Sequence, residues 1–204
     1  MVQDARPSGA PFKRLFFALD LPEAQRRAVA QWRRELGLRA GKPVPAENFH
    51  VTLLFLGDVD AALVPALCAA VDGMTPRGTG APIRLLLDRL QVWRRAGALV
   101  LEPGETPASL RQLVYGLEQR VLPLGIAGQA RDYRAHLTLS RDFRGPPPEA
   151  GQAPEFLLDA RRFGLYESRK GRYWPLAEWP LGAAEALSQA AASGRSSQGR
   201  PRWN

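Results

Sequence analysis

His50-Val51-Thr52-Leu53 and His136-Leu137-Thr138-Leu139 are one tetrad pattern written twice, and they contain both histidines of the 204-residue chain. The chain has only five threonines. By independent placement, the chance that both histidines carry one two positions later is on the order of one in a thousand. The repeat therefore calls for a physical cause, and strand alternation supplies one. Successive side chains of a strand point to opposite faces, so His and Thr at i and i+2 project together while Val51, Leu53, Leu137 and Leu139 enter a core. Two such strands side by side bring two imidazoles and two hydroxyls around a space the size of a phosphate. Imidazole, with an ordinary pKa near 6.5, serves as acid or base at neutral pH. Threonine hydroxyls donate to phosphoryl oxygens.

Working outward, Arg14 to Leu19 reads as a strand leading into Leu21-Pro22-Glu23, a helix start with proline in its first turn. That helix is expected to run to about Leu36, with Ala24, Ala28, Trp32 and Leu36 as its apolar stripe. After a loop over Gly41 to Glu47, the run Phe49 to Gly57 is a buried strand, and a second helix capped by Asp60 carries Leu63, Leu67, Ala70 and Val71. The pattern then recurs. Ile83 to Leu90 and Ala98 to Leu101 are strands around the turn Arg94 to Gly97, Thr106-Pro107 opens a third helix, and the second histidine strand spans Tyr133 to Leu139. The third helix has the stripe Leu110, Leu113, Val114, Leu117 and Val121. A Gly/Pro loop from Gly145 to Pro154 precedes closing strands around Phe156 to Tyr166 and Tyr173 to Leu176.

Strand-helix-strand-helix done twice predicts an α+β fold of two pseudo-symmetric lobes. Each lobe is expected to be an antiparallel sheet with helices packed outside, and the site a cleft between the lobes. The lobes are expected over residues 13–182, between a mobile N-terminus (1–12) and a mobile basic tail (183–204) poor in apolar residues.

No window holds the roughly 18 uninterrupted apolar residues of a membrane span, and no secretory signal is visible at the start, so a cytoplasmic protein is expected. One cysteine and two distant histidines make zinc and disulfide chemistry poor expectations. The net charge of +8, mostly arginine, suits an anionic partner, although it equally fits a generic solubility charge.

For either tetrad alone, a hydrogen-bonded strand histidine beside a β-forming threonine is the commoner explanation. Together they favour an acid/base site. A metal pair is the other rival, but neither tetrad offers an Asp, Glu or Cys to complete a shell. Arg134, at i−2 from His136, shares its face by alternation and is a second anion-binding candidate, with a solvated edge arginine as the alternative.

The duplicated His-x-Thr-x signature resembles the 2H phosphoesterase superfamily, and more closely the bacterial and archaeal RNA 2′,3′-cyclic phosphodiesterases once named 2′-5′ RNA ligases. The resemblance extends from Arg14 to Leu181 and includes Glu47-Asn48-Phe49 before the first tetrad, Ser140-Arg141 after the second, and Leu165-Tyr166-Glu167-Ser168 with Tyr173 near the end. It implies that His50 is the proton donor to the leaving ribose oxygen and His136 the proton acceptor from water. It implies further that Thr52, Thr138 and Arg141 bind the phosphate, with no metal and no cofactor. By alternation alone Arg141 lies on the wrong face, five residues past His136. Its role therefore rests on the resemblance and on a strand ending near Ser140. Ala135 stands where the family often has proline, which loosens a turn without removing a reacting group. The implied substrates are RNA ends or nucleotides bearing 2′,3′-cyclic phosphate, opened to a 2′-phosphomonoester by a monomer away from membranes. Reverse 2′-5′ ligation uses the same pair. A non-catalytic RNA-end binding module is the alternative.

Overall fold

The computed structural model describes residues 11–72, 82–126 and 133–181. The two expected mobile ends fall almost wholly outside these residues. In chain order the elements are β1 (Phe12–Asp20), α1 (Glu23–Glu35), β2 (Lys42–Pro43), β3 (His50–Asp60), α2 (Val64–Asp72), β4 (Ile83–Trp93), β5 (Ala98–Pro103), α3 (Ala108–Val121), β6 (Leu137–Arg141), β7 (Phe156–Ala160), β8 (Arg162–Arg169) and β9 (Arg172–Pro180). The strands form one antiparallel sheet in the order β7-β4-β5-β6-β3-β1-β8-β9, with β2 on β6.

Two strand-helix-strand units, β1-α1-β3 and β5-α3-β6, occupy corresponding places on either side of the sheet's middle. The lobes expected from the sequence are thus halves of one open sheet. Each half has a histidine strand innermost, and the seam between them is the single register pair Val51↔Leu137. Beyond it the Thr52 carbonyl accepts from the Tyr133 hydroxyl at 3.1 Å; β6 begins at Leu137 and not at the expected Tyr133, so His136 stands just before its strand.

One face of the sheet carries the core. Val51, Leu53, Leu137 and Leu139 are at most 1 % exposed and belong to one apolar cluster with residues of all three helices. In α3 the buried residues are the five expected, Leu110, Leu113, Val114, Leu117 and Val121. In α1 they are Val29 and Trp32, with Ala24 and Ala28 exposed. A strict spacing of four drifts around a helix of 3.6 residues per turn; the buried side follows Val29, Trp32 and Leu36. Asp60 caps the turn before α2 by accepting from the Ala62 amide at 2.8 Å. The expected strand from Phe156 to Tyr166 is two strands, β7 and β8, parted at Arg161, whose carbonyl accepts from the Leu181 amide at 2.7 Å.

Among the described residues no helix covers the opposite face, yet Phe16, Ala18 and Val100 are buried there, outside the main cluster. They form a thin floor beneath half-buried site residues. Leu53→Ala, at the centre of the core face, is expected to cost about 2–5 kcal/mol of stability, measured by urea unfolding.

Candidate active site

The tetrads meet through their register. With Val51 opposite Leu137, one residue either way sets His50 beside Thr138 and Thr52 beside His136 on the uncovered face. Each imidazole is held in the same way. His50 Nδ1–H donates to the Asn48 carbonyl at 2.7 Å, and His136 Nδ1–H donates to the Arg134 carbonyl at 2.8 Å, both two residues back. With Nδ1 occupied, Nε2 is the titrating atom in both rings. That of His50 lies 3.1 Å from Thr52 Oγ1.

Arg141 reaches the same face through an irregularity invisible to simple alternation. Along β5, Leu99 pairs with Ser140 but Val100 pairs with Thr138, leaving Leu139 as an extra residue in β6. Such a bulge flips the parity of the strand beyond it, so Arg141, opposite Ala98, shares the face of Thr138, opposite Val100. Its guanidinium donates to the Tyr173 hydroxyl at 2.9 Å. The Tyr173 ring stands edge-on to His50, with centroids 4.9 Å apart. Phe16 also packs against that imidazole, at 5.1 Å, and touches the Tyr173 ring edge-on at 4.9 Å, so the three rings form one cluster. Gly164 makes room for this wall, since a Cβ there would lie 2.8 Å from the Tyr166 ring.

Around His136 the neighbours differ. Trp93 lies against the ring at a centroid distance of 4.2 Å. Glu102, 7 % exposed, accepts from Trp93 Nε1 at 3.1 Å and pairs with Arg134 at 2.8 Å. The Arg134 guanidinium lies over the Trp93 ring, 4.9 Å from its centroid. Arg134 therefore stands on the expected side of the sheet, but its charge is met by Glu102, which limits what it offers a phosphate. Nothing local in the sequence singles out Trp93 or Glu102; only strand pairing brings them to His136. Phe49 is a core residue at 1 % exposure, under the Arg33 guanidinium.

Burial pushes the His50 imidazole down to about 4, against the Asn48 hydrogen bond that favours the charged form; His136 and Arg141 add to the lowering. Burial likewise lowers His136, while the Arg134 carbonyl and then the Glu102 carboxylate oppose it. Both imidazoles are thus neutral in the free protein near pH 7. An anion between them favours the protonated forms and raises both. Among the described residues no group of three or more His, Cys, Asp or Glu is arranged to hold a metal ion, and no helix is long and apolar enough to cross a membrane.

Two imidazoles with matched tautomers, two threonine hydroxyls and one arginine on the open face of an antiparallel sheet define a two-histidine phosphoesterase site. The chain belongs to the LigT-like phosphoesterase family: the family described as "LigT like Phosphoesterase" matches residues 19–100 and again 101–176, one tetrad in each match. The RNA 2′,3′-cyclic phosphodiesterase of Escherichia coli strain K12 is 34 % identical over 177 residues, covering 83 % of this chain and 97 % of the relative. A protein of the same name from Archaeoglobus fulgidus is 29 % identical over 166 residues, covering 78 % and 88 %. The crystal structure of E. coli LigT complexed with 3′-AMP superposes with a TM-score of 0.72 at 32 % identity, covering 85 % of this chain and all (100 %) of that one.

The depressed His50 pKa has a stability consequence. An unfolded histidine titrates near 6.5, so protonation favours the unfolded chain. The contribution is fully present above about pH 6.5 and is lost as the pH falls toward 4. Thermal unfolding followed from pH 7 to pH 4.5 is expected to show a smaller decline in Tm for His50→Gln than for the parent. In Glu102→Gln, which keeps shape and removes charge, the His136 imidazole resonance is expected to titrate at lower pH than in the parent.

Proposed function

We propose that the protein hydrolyses 2′,3′-cyclic phosphates at RNA ends or on nucleotides, leaving a 2′-phosphomonoester and a free 3′-hydroxyl. The observation that carries this reading is the pair of histidines with matched tautomers on one face of the sheet, His50 presenting Nε2 beside the Thr52 hydroxyl. The relatives' shared name, RNA 2′,3′-cyclic phosphodiesterase, supports the same chemistry. The E. coli LigT structures complexed with 3′-AMP, ATP and NADP⁺ support a nucleotide as ligand.

In this reading His136 Nε2 accepts a proton from water as the water attacks phosphorus, and His50 Nε2–H protonates the departing O3′. Thr52 and Thr138 donate to the non-bridging oxygens, and Arg141 balances their charge. Tyr173, taking a hydrogen bond from Arg141, orients that guanidinium. Arg134, already paired with Glu102, adds little direct charge and serves mainly through its carbonyl, which fixes the His136 ring. A cyclic phosphate carries its leaving group beside phosphorus, so the protein has to place water in line and move two protons. With a 5′-hydroxyl in place of water, the reverse path joins a 2′-5′ linkage. We assign this activity to a monomer in the cytoplasm, requiring no metal or cofactor.

Incubation with 2′,3′-cyclic AMP in EDTA, with products separated against 2′-AMP and 3′-AMP standards, tests the reading. Turnover is expected to survive chelation and yield 2′-AMP; predominant 3′-AMP would exchange the orientation of the ribose. His50→Ala and His136→Ala are each expected to lose on the order of 10² to 10⁴ in rate, and near-parental turnover by either removes that residue from the mechanism. The acid must be protonated, so activity falls as the pH rises through its pKa. Because bound phosphate raises the pKa of His50, the alkaline limb is expected at higher pH in kcat than in kcat/KM.

A further inference from the structure

One cation on the helix side of the sheet touches the neighbours of both tetrads. Arg33, in the last turn of α1, donates from a single terminal nitrogen, Nη1, to two backbone carbonyls: that of Val44, just past β2, and that of Leu139 in β6 at 3.1 Å. Its guanidinium also lies over the Phe49 ring, 4.9 Å from the centroid. Phe49 precedes His50, and Leu139 follows Thr138.

Arg33 is half-buried, and among the described residues no carboxylate pairs with it. Burial, with Arg34 alongside, pushes its pKa down from the ordinary guanidinium value. Taking an unpaired cation out of water is unfavourable, and an apolar side chain would cover Phe49 without that cost. What the guanidinium adds is charge-assisted hydrogen bonding to the two carbonyls.

The Leu139 carbonyl belongs to the residue that turns Arg141 toward the site. β5 pairs with Thr138 and with Ser140, passing over Leu139. On the other side of β6 lies β2, which is two residues long, and Pro43, opposite Ser140, has no N–H to give. The Val44 amide donates to the Leu139 carbonyl at 2.9 Å, and Arg33 supplies that carbonyl's second bond while holding Val44 as well. Gly41, at φ +79°, packs so closely that an added Cβ would lie 2.5 Å from Ser140 Oγ and 2.8 Å from the Arg141 carbonyl oxygen. The bulge is therefore gripped along its length. If it were straightened, the chain past Leu139 would shift by one residue and Arg141 would turn to the opposite face.

We propose that Arg33 is a positioning residue: by holding the Val44 and Leu139 carbonyls together it maintains the bulge that presents Arg141 on the face of the two histidines. The proposal rests on the function above only for the phosphate that Arg141 meets there.

A double-mutant cycle of the full chain with Arg141→Met tests it through two readouts. Arg33→Met keeps an unbranched apolar side chain over Phe49 and removes the donors. In calorimetric titration with inorganic phosphate at pH 7, Arg141→Met is expected to bind about tenfold more weakly than the parent, as for one lost hydrogen bond to a charged group. Arg33→Met is expected to lose about as much, and the double variant no more than either. The second readout is the His50 imidazole resonance, which needs no ligand. Arg141 holds the His50 pKa down, so the resonance is expected to titrate at higher pH in Arg141→Met, equally so in Arg33→Met, and no further in the double variant. If Arg33→Met does not fold, Arg33→Lys replaces it, since an ammonium on a shorter stem keeps the charge without the planar fork; a loss of phosphate affinity of about threefold, absent when Arg141 is methionine, is then expected. Additive losses, or parental phosphate affinity and His50 titration in the Arg33 variant, overturn the proposal. A parent that binds no phosphate counts against the proposed function instead, and the His50 resonance then decides the role of Arg33.

Discussion

Val51 and Leu137 face each other across the middle of the sheet, and this contact between two core side chains governs the chemistry on the other side. Burying both fixes their strands in phase, since a slip of one residue would turn every alternate side chain over. Four polar groups then have no choice but to gather on the uncovered face. Hydrophobic burial behind the sheet thereby sets the spacing of the two imidazoles in front of it. No hydrogen bond between the two histidine strands' side chains is needed for that placement.

Much of this is legible in the chain itself. The paired tetrads reveal both strands and their facing side, and the α3 stripe reads residue by residue because its apolar positions follow the 3.6-residue period. The α1 stripe misleads because Ala24 and Ala28 keep a spacing of four that the helix does not. Arg141 can be assigned from sequence only through the family resemblance, since the bulge at Leu139 that turns it toward the site arises from pairing with β5. Glu102 is hidden for a related reason: an acidic residue in a mostly apolar strand has no meaning until β6 lies beside it. Alternation places Arg134 on its face correctly but says nothing about its partner.

The unlike surroundings of the histidines bear on the two tasks that the proposed reaction gives to one motif used twice. Burial lowers both imidazoles. Only His136 has a carboxylate acting on it to counter that burial, held in place by Trp93 and Arg134. His50 instead has Arg141 and aromatic rings for neighbours, so its protonated form depends on a bound anion. In the proposed reaction the acid, His50, is therefore poorly charged until substrate arrives, and a free protein with two neutral imidazoles avoids the repulsion of two buried cations.

The ring orientation of each histidine is set by a backbone carbonyl of the segment leading into its strand, two residues upstream of the ring. A backbone acceptor has no identity to lose: any amino acid at position 48 or 134 supplies one. The proton's location on each imidazole is thus inherited with the strand's path, independent of which side chains surround it. A duplicated strand carrying such a self-oriented imidazole arrives ready for proton transfer. Its two copies can then acquire different neighbours, an aromatic niche in one half and a buried acid in the other, without either having to rediscover how to aim its ring.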